Sequence, residues 1–234
     1  MNADATRRPG RSRRRVSLRT TAGMILVCAG LAVSAWLGWE YWGTTWVAHR
    51  TQATVMSSIE DSWRRGKDSA VVSQGPGGRP VAAGAIVRIP RFGPDFAVPV
   101  LEGTSDGVLA AGLGHYAGSA PPGGPGNYAL AGHRVTHGQP LRDMPELRPG
   151  DRVVVETRQS VFTYVLDTGG DALVVPFTAG WVLDPAPSNP DGGIEPPSGP
   201  VGRRLITLTT CSELFHTDNR YVAFGHLEST RRRP

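Results

Sequence analysis

The chain has 234 residues, of which 39% are hydrophobic, and this suits one domain of moderate size with appendages. Its 30 glycines and 20 prolines indicate many turns and argue against a helical bundle. The net charge of +5 does not indicate a nucleic-acid-binding face, because the first twenty residues carry seven arginines against one aspartate. The rest of the chain is close to neutral, so we expect no nucleic-acid partner.

The first predicted element is a membrane anchor. Residues 1–20 form a basic tail, and Ala22–Trp39 follows without a charge, close to the roughly twenty residues that span hydrocarbon as a helix. Aromatic side chains cluster at its far end: Trp36, Trp39, Tyr41, Trp42 and Trp46. This pattern predicts a single transmembrane helix over 21–42, with a cytoplasmic tail and the remainder outside the cell. A cleaved signal peptide is the alternative, but the aromatics replace its small-residue cleavage pattern.

The next segment, 43–80, is predicted to be a stalk and linker. Three of its apolar residues are spaced for one face of a helix: Val55, Ile59 and Trp63. Residues 68–80 are rich in Gly, Pro and Ser and favour a flexible linker. The folded domain is therefore expected over 81–228, with a short C-terminal tail at 229–234.

The predicted domain consists of short strands divided by turn residues. The predicted strands are 85–89, 96–101, 128–131, 152–157, 160–167, 205–210 and 221–225, with 171–177 as a further candidate. Many short strands at this spacing favour an all-β domain that forms a closed or nearly closed barrel. Residues 184–202 are dense in Pro, Gly and Asp and read as a long loop.

A thiol stands at the end of one predicted strand. Residues 205–210 are rich in β-branched side chains, and Cys211 follows them, where the scaffold gives way to a loop. Nine residues later Arg220 opens the strand 221–225. If the two strands pair as a hairpin, Cys211 and Arg220 lie side by side.

A nucleophilic thiol needs a base or a cationic neighbour. His133 is the candidate base, because it directly follows the buried-strand pattern Tyr128–Gly132. Four other histidines are rivals: His115, His137, His216 and His226. Of the two cysteines, Cys28 falls in the predicted membrane span, so the outer domain has one thiol and cannot form an internal disulfide.

Three motifs together resemble the sortases, membrane-anchored cysteine transpeptidases of Gram-positive bacteria. These are NYALAGHR at 127–134, TLTTC at 207–211 and the downstream Arg220. The segment WVLDP at 181–185 is similar to the class E branch found in actinobacteria. The resemblance covers about 84–227 and implies a closed eight-stranded barrel with short helices.

The resemblance also implies roles for particular residues. Cys211 would attack a peptide carbonyl, His133 would act as acid and base, and Arg220 would hold the oxyanion or the substrate backbone. Substrate contacts are expected from three residues near these: Tyr128, Thr209 and Thr210.

The implied substrate is a secreted protein that carries a C-terminal LPxTG-like signal, LAxTG in class E. The enzyme would cleave after the threonine and join it to an amine of a lipid-linked peptidoglycan precursor. We expect no cofactor. We also expect no metal, because the acidic residues are scattered: Glu102, Asp106, Asp143 and Glu146.

Two other functions stay open. A cysteine peptidase would hydrolyse the peptide without transfer, although papain-like enzymes place the cysteine before the histidine, the reverse of the order here. A non-catalytic, membrane-anchored β-module would carry Cys211 incidentally. It predicts that His133 and Arg220 lie far apart.

Overall fold

The chain separates into two units, Met1–Glu40 and Tyr41–Pro234. The computed structural model describes residues 18–39, 43–135, 137–200, 203–212 and 218–233. In the first unit, helix α1 spans Leu18–Gly38 and exposes apolar side chains such as Leu26 and Leu31. Among the described residues, no helix combines the length and the apolarity that crossing a membrane requires. The predicted transmembrane helix over 21–42 is therefore not confirmed.

In its described residues, the second unit contains two α-helices and ten strands. The helices are α2 (Thr44–Arg64) and α3 (Asp106–Ala111). The strands are β1 (Ala70–Val72), β2 (Val81–Arg88), β3 (Val98–Glu102), β4 (Leu113–His115), β5 (Gly126–Ala131), β6 (Arg152–Glu156), β7 (Ser160–Leu166), β8 (Leu173–Pro176), β9 (Arg204–Cys211) and β10 (Asn219–Arg232).

Eight of these strands form a closed barrel in the order β2–β3–β4–β5–β9–β10–β7–β6. The barrel closes because β2 pairs with β3 at one edge and with β6 at the other, where Val87 lies opposite Val155. The pairs β3–β4 and β5–β9 are parallel, and the others are antiparallel. Strand β1 extends the sheet beside β2, and β8 pairs with the start of β10. The prediction of a closed eight-stranded barrel is confirmed.

Alternating side chains fill the barrel interior. The main core cluster includes Tyr128 and Leu130 from β5 and Ile206 and Leu208 from β9, each at most 2% exposed. Residues two apart on a strand point to the same face, which is why these pairs share the interior. Each fully buried large apolar side chain contributes about 1.5–3 kcal/mol relative to an exposed one.

Helix α2 packs on the outside of the barrel, and this corrects the prediction of a stalk over 43–80. Val55 and Ile59 are buried in a cluster with Ile86 and Leu101 from the barrel strands. The apolar face expected of this helix is thus present, and the barrel strands bury it. The Gly/Pro/Ser-rich segment that follows is also held, because β1 pairs with β2 and Asp68 accepts a hydrogen bond from Arg158.

The C-terminal boundary also differs from the prediction. Strand β10 continues to Arg232, and Ser229–Arg232 pairs with β7. The residues predicted as a tail from 229 are therefore part of the barrel as far as Arg232. The loop after β8 is irregular over residues 184–200, as expected from its Pro and Gly content, and Asn127 fixes its approach by donating a hydrogen bond to Val182.

Candidate active site

The parallel strands β5 and β9 bring His133 and Cys211 to one edge of the barrel. Ala131 pairs with Thr209, and the N–H of Gly132 extends the ladder with a 3.1 Å hydrogen bond to the Thr209 carbonyl. Because the two strands are parallel, their C-terminal ends lie at the same edge. His133 and Cys211 each lie two positions beyond the Ala131–Thr209 pair, so their main chains lie at the same height along the strand direction.

The antiparallel ladder between β9 and β10 adds Arg220 to this edge. Cys211 and Arg220 are direct partners in the register. Directly opposite residues of an antiparallel pair project to the same face, with Cβ atoms about 4.5–5.5 Å apart. Arg220 is part-buried, and its Nη1 donates a hydrogen bond to the Asn219 carbonyl at 2.9 Å. Imidazole, thiol and guanidinium thus belong to three neighbouring strand ends.

A glycine makes the turn from β5 to His133 possible. A Cβ on Gly132 would lie 2.6 Å from Leu113 and 2.9 Å from Leu141, closer than packed side chains come. Leu141 also donates its N–H to the His133 carbonyl at 3.0 Å, which fixes the main chain of the base. Packing therefore requires a glycine at 132, and the hydrogen bond from Leu141 holds the main chain of His133 at the barrel edge.

His133 is neutral at physiological pH. Burial, together with a smaller effect of the charge of His137, lowers the pKa of His133 from 6.5 to about 4, and Asp106 opposes both effects. A neutral imidazole can accept a proton from a thiol. The imidazolium formed can then return that proton to another atom. The site therefore contains a free thiol, an imidazole that can accept a proton and a permanent cation.

The threonines of the cysteine strand join β9 to β5 through their hydroxyls, and the expected contact of Thr209 and Thr210 with substrate stays a prediction. Thr210 donates its hydroxyl to the Gly132 carbonyl at 2.7 Å, and Thr209 donates to the Leu130 carbonyl at 3.1 Å. Both residues are at most 3% exposed. A buried hydroxyl without a partner is costly, and these hydrogen bonds give each of the two hydroxyls a partner on β5.

Tyr128 lies in the barrel core and not at the edge with His133 and Cys211. It is 2% exposed, and its ring lies 4.9 Å from that of His115. Burial raises the pKa of Tyr128 well above its usual value. Tyr128 is thus part of the barrel core, and the substrate contact expected of it stays a prediction.

Arg134 is a site residue whose role is not evident from the sequence. Its Nε donates to the Cys211 carbonyl at 2.7 Å and its Nη2 to the Ser212 carbonyl at 2.9 Å. The guanidinium carbon also lies 5.6 Å from the centre of the Tyr221 ring. The available signal was its position, since a cation directly after the base reaches the neighbouring parallel strand.

The rival histidines lie in different surroundings. His115 contacts Glu102 through Nδ1 and Ser119 through Nε2, and His226 contacts Asp167. His226 pairs with Leu205, at the far end of β9 from Cys211. His137 stacks on His133, whereas His216 lies outside the described residues. In the described part of the chain, no three His, Cys, Asp or Glu side chains are grouped to hold a metal ion.

Comparisons with known proteins agree with this geometry. A family model described as a sortase domain matches residues 87–228. Sortase SrtE1 of Streptomyces coelicolor is 34% identical over 238 residues, which cover 97% of this chain and 61% of SrtE1. The chain thus spans less than two thirds of the length of that relative. Sortase SrtE2 of the same organism is 29% identical, with 97% of this chain and 87% of SrtE2 covered.

Solved structures are similar over the barrel. Sortase E from Streptomyces avermitilis has a TM-score of 0.53 and 42% identity, covering 63% of this chain and 89% of that structure. Sortase E1 from Streptomyces coelicolor, solved with a tripeptide in its active site, has a TM-score of 0.52 and 37% identity, covering 64% of this chain and 90% of that structure.

Proposed function

The chain belongs to the sortase family, and on that premise we propose that it is a class E-like cysteine transpeptidase that cleaves a C-terminal LAxTG or LPxTG signal between Thr and Gly. The nucleophile is Cys211, the acid and base is His133, and the oxyanion is stabilised by Arg220. One observation carries this assignment: Cys211 pairs directly with Arg220 while His133 ends the neighbouring parallel strand at the same level.

The chemistry balances with these groups alone. The sulfur of Cys211 bonds to the threonine carbonyl carbon, and the thiol proton passes to the neutral imidazole of His133. Arg220 donates hydrogen bonds to the oxyanion that forms. When the C–N bond breaks, His133 returns its proton to the leaving amine, which leaves a thioester on Cys211.

Transfer is the reverse sequence with a new amine. The acceptor amine attacks the thioester carbonyl and loses a proton to His133, and the C–S bond breaks to release the joined product. The sulfur then takes the proton back. By family resemblance, the acceptor is an amine of a lipid-linked peptidoglycan precursor. Water in place of the amine gives hydrolysis, which is the competing function.

We also propose that residues 21–42 anchor the enzyme in the cell membrane, with the tail inside and the barrel outside. The charge-free run Ala22–Trp39, the arginines before it and the aromatics after it support this orientation. Helix α1 adds support because its apolar side chains are exposed, including Ile25 and Leu26 at 63% and 73%. Carbonate extraction of membranes tests the anchor. Release into the soluble fraction would contradict it.

The function is tested with the full chain in detergent. Wild-type protein and Cys211→Ala are incubated with LAxTG and LPxTG peptides and an amine acceptor, and the products are weighed by mass spectrometry. We expect a ligated product from wild type and none from Cys211→Ala. Free acid alone would favour the peptidase, and turnover by Cys211→Ala would remove Cys211 from the reaction.

A further inference from the structure

His137 contacts the proposed base directly. The ring centroids of His133 and His137 are 5.1 Å apart with an angle of 29° between the planes, a stacked arrangement. Both residues are part-buried. The mechanism above does not use His137, so its position against His133 requires a separate explanation.

The backbone that carries His137 adopts a conformation that side chains disfavour. His137 and Gln139 have φ values of 55° and 49°, and Gly138 between them has a φ of 79°. Left-handed backbone at non-glycine residues costs free energy and persists only where the surroundings hold it. Gln139 contributes by donating a hydrogen bond to the Val135 carbonyl at 2.6 Å.

Helix α2 supports this turn from behind. A Cβ placed on Gly138 would lie 2.8 Å from the amide nitrogen of Gln52 and 3.2 Å from the Cβ of Ala48. Both helix residues are buried. The turn therefore rests directly on α2, and only glycine at 138 permits both the close approach and the positive φ.

We propose that His137 is a positioning residue for the reaction: its ring, carried on a left-handed turn that helix α2 supports, packs against His133 and fixes the orientation of that imidazole. This inference rests on the proposed role of His133 as acid and base. It extends the active site to α2, a helix that precedes the barrel.

The charges around His133 also affect its function, because they influence its pKa. Its titratable and charged neighbours are His137 on its own loop, Asp106 at the start of α3, Arg134, and the Cys211–Arg220 pair of β9 and β10. After burial, His137 is the main influence that lowers the pKa of His133, and Asp106 acts against it. The stacked ring thus favours the neutral imidazole that accepts the thiol proton.

The test compares two variants of the full chain, His137→Asn and His137→Phe. Asparagine tolerates the left-handed backbone but removes the ring, whereas phenylalanine keeps a ring without charge. For His137→Asn we expect kcat at least about tenfold lower, with KM and melting temperature close to wild type. His137→Phe should retain more activity. In both variants the acidic limb of the pH profile of kcat/KM should move to higher pH, because His137 lowers the pKa of His133.

A matched histidine and a matched helix position serve as controls. His226→Asn, remote from the site, should leave kcat unchanged. Gln52→Ala should lower kcat several-fold, whereas Thr54→Ala on the exposed face of α2 should not.

Wild-type kcat and an unmoved pH profile in His137→Asn would overturn the proposal, as would a loss of activity that only parallels a loss of folded protein. Full activity in His133→Ala would instead refute the proposed function.

Discussion

Arg134 holds the main chain of Cys211, since its Nε donates a hydrogen bond to the Cys211 carbonyl at 2.7 Å. The Nη2 atom of the same guanidinium binds the next carbonyl, that of Ser212, at 2.9 Å. One planar group therefore spans two consecutive carbonyls at the point where β9 ends. Because Arg134 also follows His133 in the chain, its side chain links the main chain of the proposed base to that of the proposed nucleophile.

Replacing Arg134 tests this link. We expect Arg134→Ala to lower kcat by about tenfold to a hundredfold, because a displacement of the sulfur by about 1 Å is enough for such a loss. Arg134→Lys should retain more of the wild-type kcat than Arg134→Ala but not all of it, since an ammonium cannot bind two carbonyls in a fixed plane. Steady-state peptide cleavage measures both. Arg152→Ala, which removes an exposed ion pair with Glu228, is the matched control. Unchanged kcat in Arg134→Ala would contradict the prediction.

Arg220→Lys separates charge from geometry at the oxyanion. The ammonium keeps the positive charge but loses the guanidinium fork, so we expect kcat/KM to fall about tenfold to a hundredfold. Arg231→Lys, on an exposed part of the same strand, should behave as wild type. Normal turnover by Arg220→Lys would mean that the guanidinium of Arg220 does not stabilise the oxyanion.

The pKa of His133 predicts a pH-dependent stability. Burial lowers this pKa to about 4, so between pH 6.5 and about 4 the unfolded chain binds a proton that the folded protein does not. The free energy of unfolding therefore falls as the pH falls through this window, by as much as about 3 kcal/mol. Denaturant unfolding at pH 7 and pH 4.5 measures the loss.

The control for this stability effect is His133→Asn, which cannot titrate. It should lose less stability than wild type on the same acidification. An equal loss in both proteins would mean that other groups account for the pH dependence.

Thr210→Val tests the side-chain hydrogen bond that joins β9 to β5. The change leaves the Gly132 carbonyl without its 2.7 Å hydrogen bond, and we expect the free energy of unfolding to fall by about 1–3 kcal/mol. Thr210→Ser keeps the hydroxyl and should be close to wild type. If Thr210 contacted substrate instead, Thr210→Val would raise KM without affecting stability.

Ile59→Ala tests whether α2 belongs to the folded domain. Ile59 is fully buried against the barrel, so its truncation should cost about 2–5 kcal/mol. Glu60→Ala, on the exposed face of the same helix, should stay within about 0.5 kcal/mol of wild type. A negligible effect of Ile59→Ala would support the stalk that the sequence predicts.

Local patterns predicted much of the barrel but not all of its parts. The alternation of apolar and β-branched residues located β2, β3 and β5–β9 within a few residues and found the start of β10, because each of these strands is long enough for a period of two to register. The end of β10 was missed, since the strand continues from the predicted end at 225 to Arg232. Strands β1 and β4 have three residues each and carry no such pattern. Val55 and Ile59 predicted a helical face, but periodicity does not say which surface covers that face.

Some features of the candidate site were likewise evident in the sequence, and others only in the tertiary structure. Its residue types and chain order were evident in the sequence, since a thiol ending a strand, a histidine ending another and an arginine opening a third are local features. That Thr209 and Thr210 join two strands, and that Arg134 reaches the Cys211 carbonyl, depends on β5 and β9 being parallel neighbours. That the turn carrying His137 lies against α2 depends on where that helix packs. Strands far apart in the chain become neighbours only through the closure of the whole barrel, so the sequence determined which groups were available and the tertiary structure decided which of them meet.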